Sequence, residues 1–194
     1  MAVENSKGRT SYEPVGAKDF VEGMRRLAAG VTIIATEHQN SYHGLASTAV
    51  TSVTADPATI LVCVNTSASS HDAILGAKCF TANILSEDDL EVAQLFGSSQ
   101  NRERRFLTRD WSPLKTGAPA LEGALAVFDC QVKEAVRVSS HTMFLGEVVA
   151  VRYRDDKGAL LYWDRAYRKF APGLLVPKDS IGSGLGLLHD LLAN

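Results

Sequence analysis

Cysteine is scarce in this 194-residue chain, net charge is small at −2, and long apolar runs are missing. Each shortage removes a class of protein. Cys63, Cys79 and Cys130 are odd in number, far apart and set in apolar strand-like runs, so reduced, buried thiols are expected rather than a disulfide frame or a zinc site. An isoelectric point near 6.2 offers no field to draw a nucleic-acid backbone or an anionic membrane. No run approaches the ~20 apolar residues of a membrane span, and the opening MAVENSKGRTSYEPVG lacks the apolar stretch of a secretory signal. The expected location is the cytoplasm.

Chemical motifs are scarce too. No Walker loop, Gly-x-Ser-x-Gly elbow or His-Glu-x-x-His pair occurs, and the five histidines are scattered. Gly182-Ser-Gly184-Leu-Gly186 has the wrong spacing for a dinucleotide fingerprint and no strand before it. A reaction whose hard step belongs to a bound cofactor, such as hydride transfer, suits a chain with so few acid, base or nucleophile motifs.

At 20.9 kDa the chain is long enough to bury one core without staples. Residues 1–17 read as a flexible arm, 18–176 as the folded domain and 177–194 as a C-terminal extension. DFVEGMRRLAAG predicts a helix with Phe20, Met24, Leu27 and Ala28 on one stripe and Gly30 beyond its end. Strands are expected over 31–36, 45–53, 59–64 and 78–85, where β-branched residues cluster between polar turns. Residues 70–76 predict a short helix, and Ser86-x-x-Asp89 caps another that Gly97 closes. The stretch 98–123 is irregular and too long for an idle turn. In 124–133, Ala126, Phe128, Cys130 and Val132 share a face; in 141–153, Met143, Leu145, Val149 and Val151 do. A hairpin through Asp155-Asp156-Lys157-Gly158 then leads into ALLYW. Some seven strands with few helices and no strand–helix alternation predict a mainly β, antiparallel barrel with flanking helices. Leu185, Leu188 and Leu192 form a helical stripe that wants an apolar surface to dock on.

From Phe20 to Tyr167 the landmarks Gly30-Val31-Thr32, Gly44 to Val53, Val64-Asn65-x-Ser67, Phe80-x-Ala82-Asn83, Arg105-Phe106, Gly117-x-Pro119-x-Leu121-x-Gly123, His141-x-x-Phe144-x-Gly146-Glu147 and Leu160-Leu161-Tyr162 follow one another in order. In this order they resemble the short-chain flavin reductase family, with its FMN-binding split-barrel fold. The resemblance implies a six-stranded Greek-key split β-barrel, a homodimer, and reduction of FAD or FMN by NADH, with NADPH the other nicotinamide donor. Hydride would pass from nicotinamide C4 to flavin N5. Reduced flavin would then go to a separate flavin-dependent monooxygenase. A flavin-retaining oxidoreductase of the same fold and a non-catalytic flavin-binding protein are the other readings open to such a barrel.

The resemblance also implies site residues. Ala46, Ser47, Thr48, Ala49 and Ser52 would lie beneath the flavin ring, where the family more often has Thr-Ala-Ser for Ala46-Ser47-Thr48. Asn65, Ser67, Ser69 and Ser70 would face its phosphate side, although a plain helix cap explains Ser69 or Ser70 equally well. Asn83 would touch the ring edge or else satisfy strand backbone, Arg105 with Arg102 would pair with phosphate or else belong to a solvated charge run, and Tyr167 would cover the cofactor or simply pack. His141 would line the nicotinamide side; its predecessors Ser139-Ser140 stand where the family more often has Gly-Asp.

Overall fold

The computed structural model describes residues 2–4 and 10–169. The expected C-terminal extension, with its leucine stripe, lies outside the described residues. Within the expected N-terminal arm, Ala2–Glu4 pairs with Thr10–Tyr12 in a short antiparallel ladder.

The main sheet has seven strands: β1 (Thr32–His38), β2 (Ser41–Ser47), β3 (Val50–Ala55), β4 (Ala58–Asn65), β5 (Cys79–Ile84), β6 (Ala126–Val138) and β7 (His141–Tyr153). Their order is β2-β1-β5-β6-β7-β4-β3, antiparallel throughout. The β6–β7 hairpin inserts between β5 and β4, which gives the Greek-key path. Consecutive strands β2 and β3 occupy opposite edges, yet only Thr48 and Ala49 join them. That link reaches about 10 Å at most, whereas the edges of a flat sheet of this size would stand roughly 29 Å apart at about 4.8 Å per strand. The sheet must therefore roll into a barrel whose edges meet, without ladder bonds, at this seam.

Three helices flank it: α1 (Ala17–Met24), α2 (His71–Ala77) and α3 (Leu90–Gly97). The inner face holds alternate residues of the strands, among them Ile34, Val62, Phe80, Cys130 and Phe144, with Ile74 of α2 packed on them. A second cluster sets Ile33 and Ala35 of β1 and Val127 of β6 against Val92, Ala93 and Phe96 of α3. Burial on both faces explains why β1 reads as an unbroken apolar run rather than an alternation.

Three expectations are corrected, and the face shared on β7 is identified as the outer one. The run 45–53 is two strands, because the chain crosses the seam at Thr48-Ala49, and this raises the expected six barrel strands to seven. Leu161–Trp163 does not pair with β7; it joins Ala29–Gly30 and Ala166–Arg168 in a separate three-stranded sheet. The stripe Met143, Leu145, Val149 and Val151 faces outward, because the inner positions of β7 are Thr142, Phe144 and Gly146. Finally, α1 ends at Met24 with Phe20, Met24 and Leu27 exposed. Polar bonds hold its end instead: Arg25 Nε donates to Asp164 at 2.7 Å, and Trp163 Nε1 donates to the Arg26 carbonyl at 3.2 Å.

Candidate functional site

The seam opens into a groove. One lobe, about 240 Å³, is walled by Ala46, Ser47 and Thr48 at the end of β2, by Gly97 at the end of α3, and by Tyr162 and Tyr167. A second lobe, about 400 Å³ and mostly apolar, shares Thr48 and Tyr162 and extends past Ala49 to Met24 and Leu27 beside α1. A seam forms here because neither edge strand completes the other's ladder, which leaves the backbone of Thr48 open to a guest, while Ala49 is already bonded, its N–H donating to Ser47 Oγ at 3.1 Å and its carbonyl accepting the Cys63 N–H. Small side chains keep the way to it clear.

Tyr167 and Tyr162 meet edge to face, with ring centroids 5.3 Å apart. Burial, then proximity to Tyr162, pushes the Tyr167 phenol above its ordinary pKa, so it remains a neutral donor. A Cβ on Gly97 would sit 3.3 Å from Tyr167 Oη and 4.0 Å from Ala46 Cβ. The glycine therefore keeps the floor between these two residues clear.

The second group of expected residues clusters at the same end of the barrel. Cys63 donates its N–H to the Ala49 carbonyl at 3.0 Å, Asn65 lies two residues further along β4, and His141 stands opposite Asn65. Thr66 N–H donates to the Ser140 carbonyl, tying the loop after β4 to the turn before β7. Asn65 Oδ1 accepts both the N–H and the hydroxyl of Ser67, at 2.9 and 2.8 Å, which rounds the loop. Ser69 is exposed, whereas Ser70 is 1% exposed and its hydroxyl has no partner. His141 is half-buried, with Nδ1 3.0 Å from Ser140 Oγ.

Three expected site residues do not belong to this arrangement. Asn83 is wholly buried: its amide donates to the Ile33 carbonyl and to Thr81 Oγ1, and its oxygen accepts the Leu121 N–H, so it pins the 119–121 segment to the sheet. Arg105, also buried, donates to the backbone carbonyls of Leu95, Gly44 and Ser98, so its fork serves the backbone rather than a phosphate. Ser52 is exposed opposite Ile60 on β3, three residues or about 10 Å from Ala49, outside the groove. Asp89 stands at the N-cap of α3 but makes no side-chain bond to the helix, against the capping that its spacing predicts; its Oδ2 accepts the N–H and hydroxyl of Ser86 and closes the turn before the helix.

Sequence reasoning missed Val31, Gly97, Tyr162 and His71. Gly97 reads only as a helix stop, and Tyr162 only as part of a strand. His71 is 6% exposed and shares a hydrogen bond with Thr142 through Nε2, 2.8 Å from Oγ1, beneath the strand that carries His141. A larger cavity, about 710 Å³, lies elsewhere. Lys78, Lys115 and Lys133 line it, with none of the expected site residues. Groups able to hold a metal ion are absent among the described residues.

Comparison with known proteins sets this geometry in context. The flavin reductase like domain model matches residues 24–171. The chain is 39% identical to FMN reductase (NADH) RutF of Pantoea ananatis over 153 residues, covering 79% of this chain and 80% of that protein. Among solved structures, nitrilotriacetate monooxygenase component B from Mycobacterium thermoresistibile is similar with a TM-score of 0.77 and 28% identity, covering 82% of this chain and 89% of the other. The NADH:FAD oxidoreductase SgcE6 of Streptomyces globisporus, in complex with NAD and FAD fragments, is similar with a TM-score of 0.76 and 27% identity, over 84% of this chain and all of that one.

Proposed function

The chain belongs to the flavin reductase like domain family, and from that premise we propose that it uses NADH to reduce a flavin and releases the product to a separate monooxygenase. The observation that carries the reading is the seam groove, where small side chains and open backbone meet two tyrosines. FMN and NADH are the first choices because the RutF relative is named for them; SgcE6, named for FAD, keeps FAD in view. The nitrilotriacetate relative, named as a monooxygenase component, supports delivery to a partner oxygenase.

The residues present fit a flavin. Ala46, Ser47 and Thr48 would flank the ring with small or hydroxyl-bearing side chains, and Gly97 leaves the space beside Tyr167 open. The unpartnered Ser70 hydroxyl, with Asn65, Ser67 and Ser69, suits the phosphate end. Tyr162 and Tyr167 exclude water from one side, and His141 orients the nicotinamide by a hydrogen bond. When bound, the flavin supplies the hydride-accepting centre. The protein contributes orientation and donors for the charge that develops, so no general base is needed.

A homodimer belongs to the same proposal. Leu61 and Cys63 of β4 pair across the ladder with Leu145 and Met143 of β7, and Val53 and Val138 are exposed nearby at 48% and 53%. Such an outward apolar face fits a second copy, which would stand beside His141 on the same face of β7.

The test is steady-state oxidation of NADH and NADPH with FMN, FAD and riboflavin in turn. Turnover above about 1 s⁻¹ that requires added flavin is expected; inactivity with all three refutes the reading. Light scattering at twice 20.9 kDa supports the dimer, and an active monomer refutes it.

A further inference from the structure

We infer that Arg105 is a positioning residue for flavin binding: buried beside the groove, it sets the width of the seam by tying the end of α3 to β2. The inference rests on the reading of the groove as the flavin site. Arg105 Nη1 donates to the Gly44 carbonyl of β2 at 2.7 Å, Nη2 donates to Ser98 at 2.5 Å, and Nε donates to Leu95 at 3.3 Å. Leu95 and Ser98 carry orphan carbonyls at the C-terminal end of α3, where a cation is favoured. One planar fork thus joins a strand and a helix that are otherwise adjacent only through side chains.

Both tied elements continue into the groove. Two residues beyond Gly44 on β2 is Ala46, and between Leu95 and Ser98 is Gly97; these are the facing walls of the smaller lobe. The joint is tight as well as bonded. A Cβ on Gly44 would stand 2.8 Å from Phe96 Cε1 and 3.1 Å from Phe106 Cζ, while the Arg105 guanidinium lies over the Phe96 ring at 5.6 Å. Phe96, Phe106 and Trp111 then pack on one another with centroids 5.0–5.6 Å apart, which carries the long 98–123 segment onto the same joint. Burial lowers the pKa of Arg105 from its ordinary value, yet leaves it a cation at any working pH.

Loss of this fork frees α3 to move away from β2, so the cost falls on flavin affinity rather than on turnover at saturation. The experiment compares Arg105→Lys and Arg105→Met with the parent by flavin fluorescence quenching, by KM and kcat for FMN, and by thermal melting. Expected is a Kd and KM for FMN raised about ten-fold or more in Arg105→Met, with kcat at saturating FMN within about two-fold. Arg105→Lys, able to reach one carbonyl, should fall between. An unchanged Kd in a folded variant overturns the inference, as does a fall in kcat with KM constant, which reports only a smaller folded fraction. Should neither arginine variant fold, Gly97→Ala decides, because it narrows the same wall with Arg105 intact. A raised Kd supports the inference, and an unchanged Kd overturns it. A parent that binds flavin yet lacks NADH oxidation refutes the proposed function while leaving this binding test readable.

Discussion

His141→Ala should slow flavin reduction while sparing the fold. Its imidazole sits on the outer pleat of β7, half-buried, with one side-chain partner, Ser140 Oγ at 3.0 Å. Truncation removes no core packing, so stability should change by less than about 0.5 kcal/mol, as for surface positions generally, which for a chain of this size is under about 2 °C in Tm. On the chemical side, one lost positioning hydrogen bond is worth about 1–3 kcal/mol, or roughly 5- to 150-fold in kcat/KM for NADH. The assay is stopped-flow reduction of enzyme-bound FMN against NADH concentration, beside FMN affinity and thermal melting of mutant and parent. Unchanged reduction kinetics with an unchanged melt would refute the assignment and make His141 a surface histidine. A melting temperature lowered by 10 °C would refute the structural premise, that the ring supports no core.

The next residue should behave in the opposite sense. Thr142→Val leaves Nε2 of buried His71 without a partner, Nδ1 keeping its bond to Asp72, and should lower Tm by about 2–12 °C, from about 1–3 kcal/mol at about 2–4 °C each; calorimetry checks this, with kcat at saturating FMN expected to hold. Gly146→Ala would place a Cβ 2.6 Å from Phe80 Cζ and 2.8 Å from Cys130 Cβ, so overpacking should cost about 1–3 kcal/mol by urea titration. Burial pushes the Cys130 thiol up to about 12 from 9.0. It remains protonated in the fold while ionising in the unfolded chain, so its stabilising share is complete below pH 9 and lost as pH rises from there towards about 12. Peptide mapping after iodoacetamide at pH 8 should find Cys79 modified before Cys130, and equal rates at the two would contradict the burial. Deleting residues 182–194 should alter Tm, dimer mass or kinetics if the leucine stripe docks, and leave all three unchanged if it does not.

Local signals carried most of the fold. The helix start at Asp89, the stop at Gly97 and the β-branched runs were readable because each depends on neighbours in sequence. Side-chain parity and long-range pairing were less so. The outward stripe on β7 looks like a core stripe in isolation, since Met143 and Leu145 are as apolar as any inner pair, and Thr142 looks polar until His71 is placed beneath it. The break at Thr48-Ala49 was invisible because small and hydroxyl residues suit a strand and a seam equally well. At the site, the family pattern named segments that the structure brings to one end of the barrel, with Ala46–Thr48 in the groove and Asn65 beside His141. It gave no measure of burial, and burial separates Asn83 and Arg105, which serve the backbone, from residues that can meet a ligand. Gly97 and Tyr162 converge on Ala46 only through tertiary contact.

The seam has a consequence for traffic. Elsewhere, widening this barrel means breaking a ladder of backbone hydrogen bonds, each strand being held on both sides. At the seam the two edges are joined only through Thr48-Ala49 and the side chains across the gap. Breathing there costs no ladder bond, so the groove can open on the timescale of loop motion while the rest of the wall stays shut. If flavin is loaded and released once per turnover, as the proposed function requires, it has a door where the described strands share no ladder bond.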